Sequence, residues 1–282
     1  MLLMIIDFHT HVVSPKMKKD RDGYAARDAC FRELYSQPKA KLFTAEELIQ
    51  SMDECGVDMS VILGFGLVSH QMCQEMNDYI LDCVTRYPQR LIGFCVVQPN
   101  DVGKAVKEVE RCAKSGAKGI GEMRPDVQGF DLGNAENMET VVEALMEHDL
   151  IFLTHTSEPV GHHYFGKGVV RPETVYPFIV SFPDLKVVLA HWGGGLPFYA
   201  LMPEVEKAMD NCYFDTAATP FLYKPQIFKH VSDIAGSDRV LFGSDNPLLS
   251  PKRIMDQIDS VGLVQGVREK ILGGNARKLL GI

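Results

Sequence analysis

No hydrophobic run in this 282-residue sequence approaches the ~20 residues that a membrane span requires. The apolar stretch at residues 2–6 is too short for a signal-peptide core, has no basic flank and runs straight into polar residues, so a soluble, cytoplasmic protein is expected. No Lys/Arg block appears in a chain with 37 acidic and 29 basic side chains and a formal net charge of -8. That balance argues against a nucleic-acid footprint and leaves a small molecule as the expected partner. There is no Cys-x-x-Cys pair. The seven cysteines (30, 55, 73, 83, 95, 112 and 212) are odd in number and scattered, the pattern of free thiols in a reducing compartment. There is also no internal repeat and no low-complexity tract, and 46% hydrophobic content is enough for one large core, so residues 1–282 are expected to form a single domain.

What the chain does have is Asp7-Phe8-His9-Thr10-His11, directly behind that first apolar stretch. An apolar run of this length reads as a buried strand, and side chains two apart on a strand point the same way. His9 and His11 therefore project together, and neutral imidazole is the commonest nitrogen ligand for zinc. Four more candidate ligands, Glu122, His155, His191 and Asp245, each follow an apolar run of their own.

Short apolar strands are expected at residues 2–7, 58–63, 91–97, 117–122, 150–154, 186–190, 212–215 and 239–243. They alternate with helices near 44–55, 72–86, 101–115, 137–148, 172–181, 197–209, 224–235 and 251–260, and a further helix is expected at 266–280. Thr44 with Glu47 forms a capping box, and Asp101 marks another helix start. Eight strand–helix units in strict alternation favour an α/β fold of the (β/α)8 TIM-barrel type, with an open doubly wound sheet as the alternative. Residues 12–43 form a long connection after the first strand, and their polar, charged content is expected to make a lid over the metal end without contributing to the core. In a closed barrel the candidate ligands, from strands one, four, five, six and eight, share one mouth, which is where such barrels place their active sites.

Asp-Phe-His-Thr-His, Thr154-His155, Ala190-His191-Trp192-Gly193-Gly194, Phe242-Gly243-Ser244-Asp245-Asn246-Pro247 and the terminal Ile271-Leu272-Gly273-Gly274-Asn275-Ala276-Arg277 together resemble the amidohydrolase superfamily, and within it the small barrels that include aminocarboxymuconate semialdehyde decarboxylase. The resemblance covers essentially the whole chain. It implies that His9 and His11 bind a divalent metal, with Asp245 coordinating it or acting as a base beside it. His155 and His191 would hold a second metal, or His155 would join the first site and His191 would become catalytic. Gly119-Ile120-Gly121-Glu122 looks instead like the fourth-strand motif of the TatD-type binuclear hydrolases, in which a carboxylate bridges two metals. The alternative for Glu122 is an ion pair with Arg124 or a lysine. The resemblance also suggests a homodimer.

These residues suit hydrolysis. Zinc, the expected metal at one or two ions per chain, lowers the pKa of bound water from 15.7 to about 7. Asp245 would then take the water's proton and return it to the leaving group of an ester, lactone, amide or phosphoester. The alternative reaction on the same ligands is non-oxidative decarboxylation of a small carboxylic acid. A third reading, a metal-stabilised binding module, leaves Asp245 without a purpose. Arg124 and His163 are the expected contacts to an anionic substrate. Gly193 to Gly195 are assigned to close backbone approach, Asp7 to orienting a histidine or to a polar layer, and Asn275 with Arg277 to anchoring the last helix.

Overall fold

Eight parallel strands lie in chain order in the computed structural model, which describes residues 3–282: β1 (Ile6–His11), β2 (Met59–Leu63), β3 (Leu91–Cys95), β4 (Gly119–Met123), β5 (Ile151–Thr154), β6 (Val187–Leu189), β7 (Cys212–Asp215) and β8 (Val240–Leu241). Each pairs in parallel with the next. Backbone bonds close the seam between β8 and β1. Phe8 N donates to Phe242 O at 2.7 Å, Asp245 N to His9 O at 2.8 Å and His11 N to Asn246 O at 2.8 Å. The chain is thus a TIM barrel, and no helix among the described residues is long and apolar enough to cross a membrane.

Ile6, Phe8, Val61, Leu63, Phe94, Leu153, Val188 and Leu241 fill the barrel interior, and Ala276, Leu279 and Leu280 of the last helix pack against that cluster. The opposite strand faces pack outward against the helices in a second, larger cluster. This two-sided burial is why the strands read as continuous apolar runs. The seven cysteines are all free.

The predicted helices at 172–181 and 251–260 match Pro172–Ser181 and Pro251–Ser260, and the Thr44–Glu47 capping box opens Ala45–Cys55 as expected. Others differ. The helix expected at 197–209 is a short turn, Leu196–Tyr199, followed by Pro203–Ala208, because Pro203 holds Met202 in extended backbone. The helices expected at 224–235 and 266–280 each contain a wider π-type turn, Ser232–Gly236 and Lys270–Gly274. β1 begins at Ile6, four residues later than expected; residue 2 of that prediction lies outside the described residues.

The largest correction concerns residues 12–43. Three short helices, α1 (Pro15–Lys19), α2 (Arg21–Arg27) and α3 (Ala29–Tyr35), occupy this stretch and bury Met17, Tyr24, Cys30, Phe31 and Tyr35. The apolar side chains are diluted by charge along the sequence but fall on one face once coiled, and the rings of Tyr24, Phe31 and Tyr35 pack in succession at tilted angles. The connection is therefore a packed wall of the barrel mouth.

Candidate metal centre

Irregular strands aim the site residues. Pairing of β1 with β2 shifts register between Asp7 and Thr10, so the interior side changes from Ile6 and Phe8 to His9 and His11. β4 shifts in the same way between Ile120 and Met123 and brings Glu122 inward. His191 and Asp245 sit at φ 55° and 67°, a region that costs a side-chain-bearing residue energy and is concentrated at functional sites. Gly194, φ 58°, follows His191 so closely beneath β5 that a Cβ there would stand 2.4 Å from Ser157 O, which supports the close-approach reading of this glycine run.

All six predicted ligands converge. His9 Nε2 lies 3.1 Å from His11 Nε2, and Glu122 Oε2 is 3.7 and 3.6 Å from these two nitrogens. Asp245 Oδ1 is 3.9 Å from His9 Nε2 and 3.5 Å from His11 Nε2. The other oxygen of Glu122, Oε1, meets His155 Nδ1 at 2.9 Å and His191 Nε2 at 3.3 Å. The ion pair between Glu122 and Arg124 is not formed: Arg124 bonds Asp126 and Glu33.

The proton positions follow from the outer partners. His9 Nδ1 faces the Asp215 carboxylate at 2.8 Å, His11 Nδ1 the Leu63 carbonyl at 3.3 Å and His191 Nδ1 the Ala217 carbonyl at 3.3 Å. Each of these oxygens only accepts, so each Nδ1 carries hydrogen and each Nε2 of the neutral ring presents a lone pair. Lone pairs on His9 and His11 facing one another at 3.1 Å, with two carboxylates alongside, repel unless a positive charge lies among them. A proton or a divalent cation meets that demand, and two to three imidazoles with carboxylates are a suitable donor set for zinc or manganese. His155 differs, with Nδ1 held by Glu122 and Nε2 3.0 Å from Ser157 Oγ.

Charge states carry the same message. Burial disfavours an imidazolium at His9, but Asp215, Glu122 and Asp245 outweigh it and raise the pKa to about 10. At His191 burial is overcome by Glu122, which lifts it to about 9. Burial, Arg124 and His191 push His155 down to about 4 against the pull of Glu122, and burial and the neighbouring His9 also lower His11. Glu122 stays ionised well below the ordinary range despite its burial, because His155 and His191 bond it.

Two residues that the sequence did not single out complete the arrangement. Asp215, the last residue of β7, orients His9 with one oxygen and accepts from His191 N and Ala217 N, each at 3.0 Å, with the other. Its position at a strand end was the available signal. Asp7 bonds Ser244 and the His9 backbone, not an imidazole ring, which favours the polar-layer reading. The second is Tyr35, in the wall of the cavity.

Above the donors lies a cavity of about 530 Å³, bounded by Arg124 and Tyr35 and by apolar side chains that include Leu34, Phe221 and Leu248. His163 is exposed and does not line it; its neighbours His162 and Tyr164 do. Lys167 Nζ donates to Val160 O and His162 O and curls this loop, and His162 and Tyr164 to Gly166 turn inward. Asn275 Nδ2 donates to Ser237 O and Val240 O, anchoring the last helix as expected.

The family described as Amidohydrolase matches residues 6–282, and the chain belongs to it. Gamma-resorcylate decarboxylase of Polaromonas sp. is 22% identical, with 97% of each chain covered. L-fucono-1,5-lactonase of Burkholderia ambifaria is also 22% identical, covering 96% of this chain and 93% of that one. Among solved structures, 5-carboxyvanillate decarboxylase of Novosphingobium aromaticivorans, in complex with manganese and 4-hydroxy-3-methoxy-5-nitrobenzoic acid, superposes with a TM-score of 0.80 at 20% identity over 99% of this chain and 96% of that one.

Proposed function

We propose that the protein is a metal-dependent carboxy-lyase that removes carbon dioxide from a small unsaturated carboxylic acid. This replaces hydrolysis as the leading reaction. The observation that carries it is the converging donor set of His9, His11, Glu122 and Asp245 beneath a largely apolar cavity, in a chain alike end to end to a decarboxylase of this family. His9, His11 and Asp245 are the primary metal donors, and Glu122, His155 and His191 complete the site. A divalent cation held there, manganese or zinc, would supply the positive charge that fixes and neutralises the substrate carboxylate.

The chain's own groups supply the rest. Arg124 is 2% exposed, clamped by Asp126 through Nε and Nη2 and by Glu33 through Nη2, and it lines the cavity as a fixed cation for an anionic substrate. Leu34, Phe221 and Leu248 offer apolar surface to a planar ring or diene. In the reaction the bond between the carboxylate and the unsaturated carbon breaks, carbon dioxide leaves, and that carbon keeps the electron pair and takes a proton. His191 would bring it where a metal on His9, His11 and Asp245 leaves its Nε2 free, 3.3 Å from Glu122 Oε1.

Hydrolysis is the second reading, favoured by the lactonase relative and by Glu122, whose two oxygens face separate histidine pairs as a bridging carboxylate would. The purified protein, supplied with Mn²⁺ or Zn²⁺, is to be incubated in D2O with hydroxybenzoic acids and with sugar lactones. Carbon dioxide release with deuterium at the vacated carbon is the expected result. Lactone opening with no carbon dioxide from any acid overturns the proposal.

A further inference from the structure

The wall built by residues 12–43 brings a group to the cavity that the reaction above does not use. Tyr35, the last residue of α3, lines the cavity and is only 9% exposed. Its ring is locked between Phe31, 5.2 Å away between centroids, and Phe65, 5.3 Å away, and Phe65 in turn lies 6.1 Å from the His11 imidazole.

The helix that carries Tyr35 is tied down at both ends. Asp28 caps it, accepting from Phe31 N at 2.9 Å, and reaches across to Val68 N at 2.7 Å, while Glu33 meets Arg124 Nη2 at 3.2 Å. So the phenol is preorganised, and its hydroxyl makes no hydrogen bond among the described residues and is left to the cavity that the ring lines. Burial pushes its pKa further up, so it is a neutral O–H donor in the cavity wall.

We infer that Tyr35 contacts the substrate and selects acids carrying a second oxygen, a hydroxyl or carbonyl beside the carboxylate, by donating its O–H to that oxygen. The assignment rests on the carboxy-lyase reading. A donor fixed in a buried wall discriminates strongly, because an acid lacking the oxygen leaves it unpaired.

Salicylate and benzoate differ only in that oxygen and serve as probes. Their affinities are to be measured by calorimetry on the full chain with Mn²⁺, wild type against Tyr35→Phe, alongside metal content and thermal midpoint as controls that the ring packing retained by Phe should leave unchanged. The expected result is a roughly tenfold loss of salicylate affinity with benzoate unaffected. Unchanged salicylate binding, or an equal loss for both acids, overturns the selectivity assigned to Tyr35 while the carboxy-lyase reading stands. Wild-type protein that binds neither acid overturns both.

Discussion

At the residue scale, the site depends on acceptors that hold each imidazole from behind. Asp215 is the strongest of these, since it is fully buried and its carboxylate fixes which nitrogen of His9 bears hydrogen. Asp215→Asn keeps the volume but replaces an acceptor by a group that also donates. Divalent-metal affinity should fall 10–100-fold, as read by titration of stripped protein, while far-UV circular dichroism is unchanged. Equal affinity in the variant would show that His9 is positioned by packing alone. The same residue marks what was legible in the sequence. His9 and His11 are weak evidence alone and become legible through the set they belong to, since Glu122, His155, His191 and Asp245 each follow an apolar run of their own. Asp215 also ends an apolar run, but that strand-end position was its one signal, and its role is apparent only once folding sets it 2.8 Å from His9.

At the scale of elements, alternation of strands and helices was legible because burial on both faces leaves an unmistakable apolar run, whereas the helices of residues 12–43 were not. α1, α2 and α3 are five to seven residues long, too short for periodicity to outweigh their charged side chains. Buried charge between longer elements gives a further test. Glu108, on the helix Val102–Lys114, accepts from Asn77 on the helix His70–Arg86 at 2.7 Å and from Arg111 at 2.7 and 2.9 Å. Burial opposes its ionisation, but Arg111 and Asn77 prevail and hold its pKa below the ordinary 4.5. A carboxylate with a depressed native pKa stabilises the fold above its unfolded pKa, and that contribution disappears as pH falls through the native one. Glu108→Gln should therefore cost about 1 kcal/mol at pH 7, limited by the solvent around the half-exposed Arg111. The gap between wild type and variant in urea denaturation should close as the buffer is taken well below pH 4.5. A gap that persists in acid would assign the effect to packing.

For the whole molecule, the barrel's closure and its candidate metal centre are one event. The donors come from β1, β4 and the ends of β5, β6 and β8, between 9 and 245 in the chain; Glu122, His155 and His191 meet through the β4–β5 and β5–β6 pairings, and Asp245 joins His9 and His11 only when the β8–β1 seam forms. The unfolded chain cannot hold a cation on this set, so metal binding favours the native state alone. With free metal at a hundred times its Kd, that linkage is worth about 2.7 kcal/mol, roughly 5 °C in thermal midpoint for a chain of this size. Protein purified without chelators, then stripped with EDTA, should melt earlier by that margin, and Mn²⁺ or Zn²⁺ should restore it while Mg²⁺, which prefers an all-oxygen shell, should not. The cation demand of the His9–His11 pair gives the result its meaning. A midpoint indifferent to stripping and to every added metal would mean that a proton, held between those two nitrogens 3.1 Å apart, satisfies the site by itself.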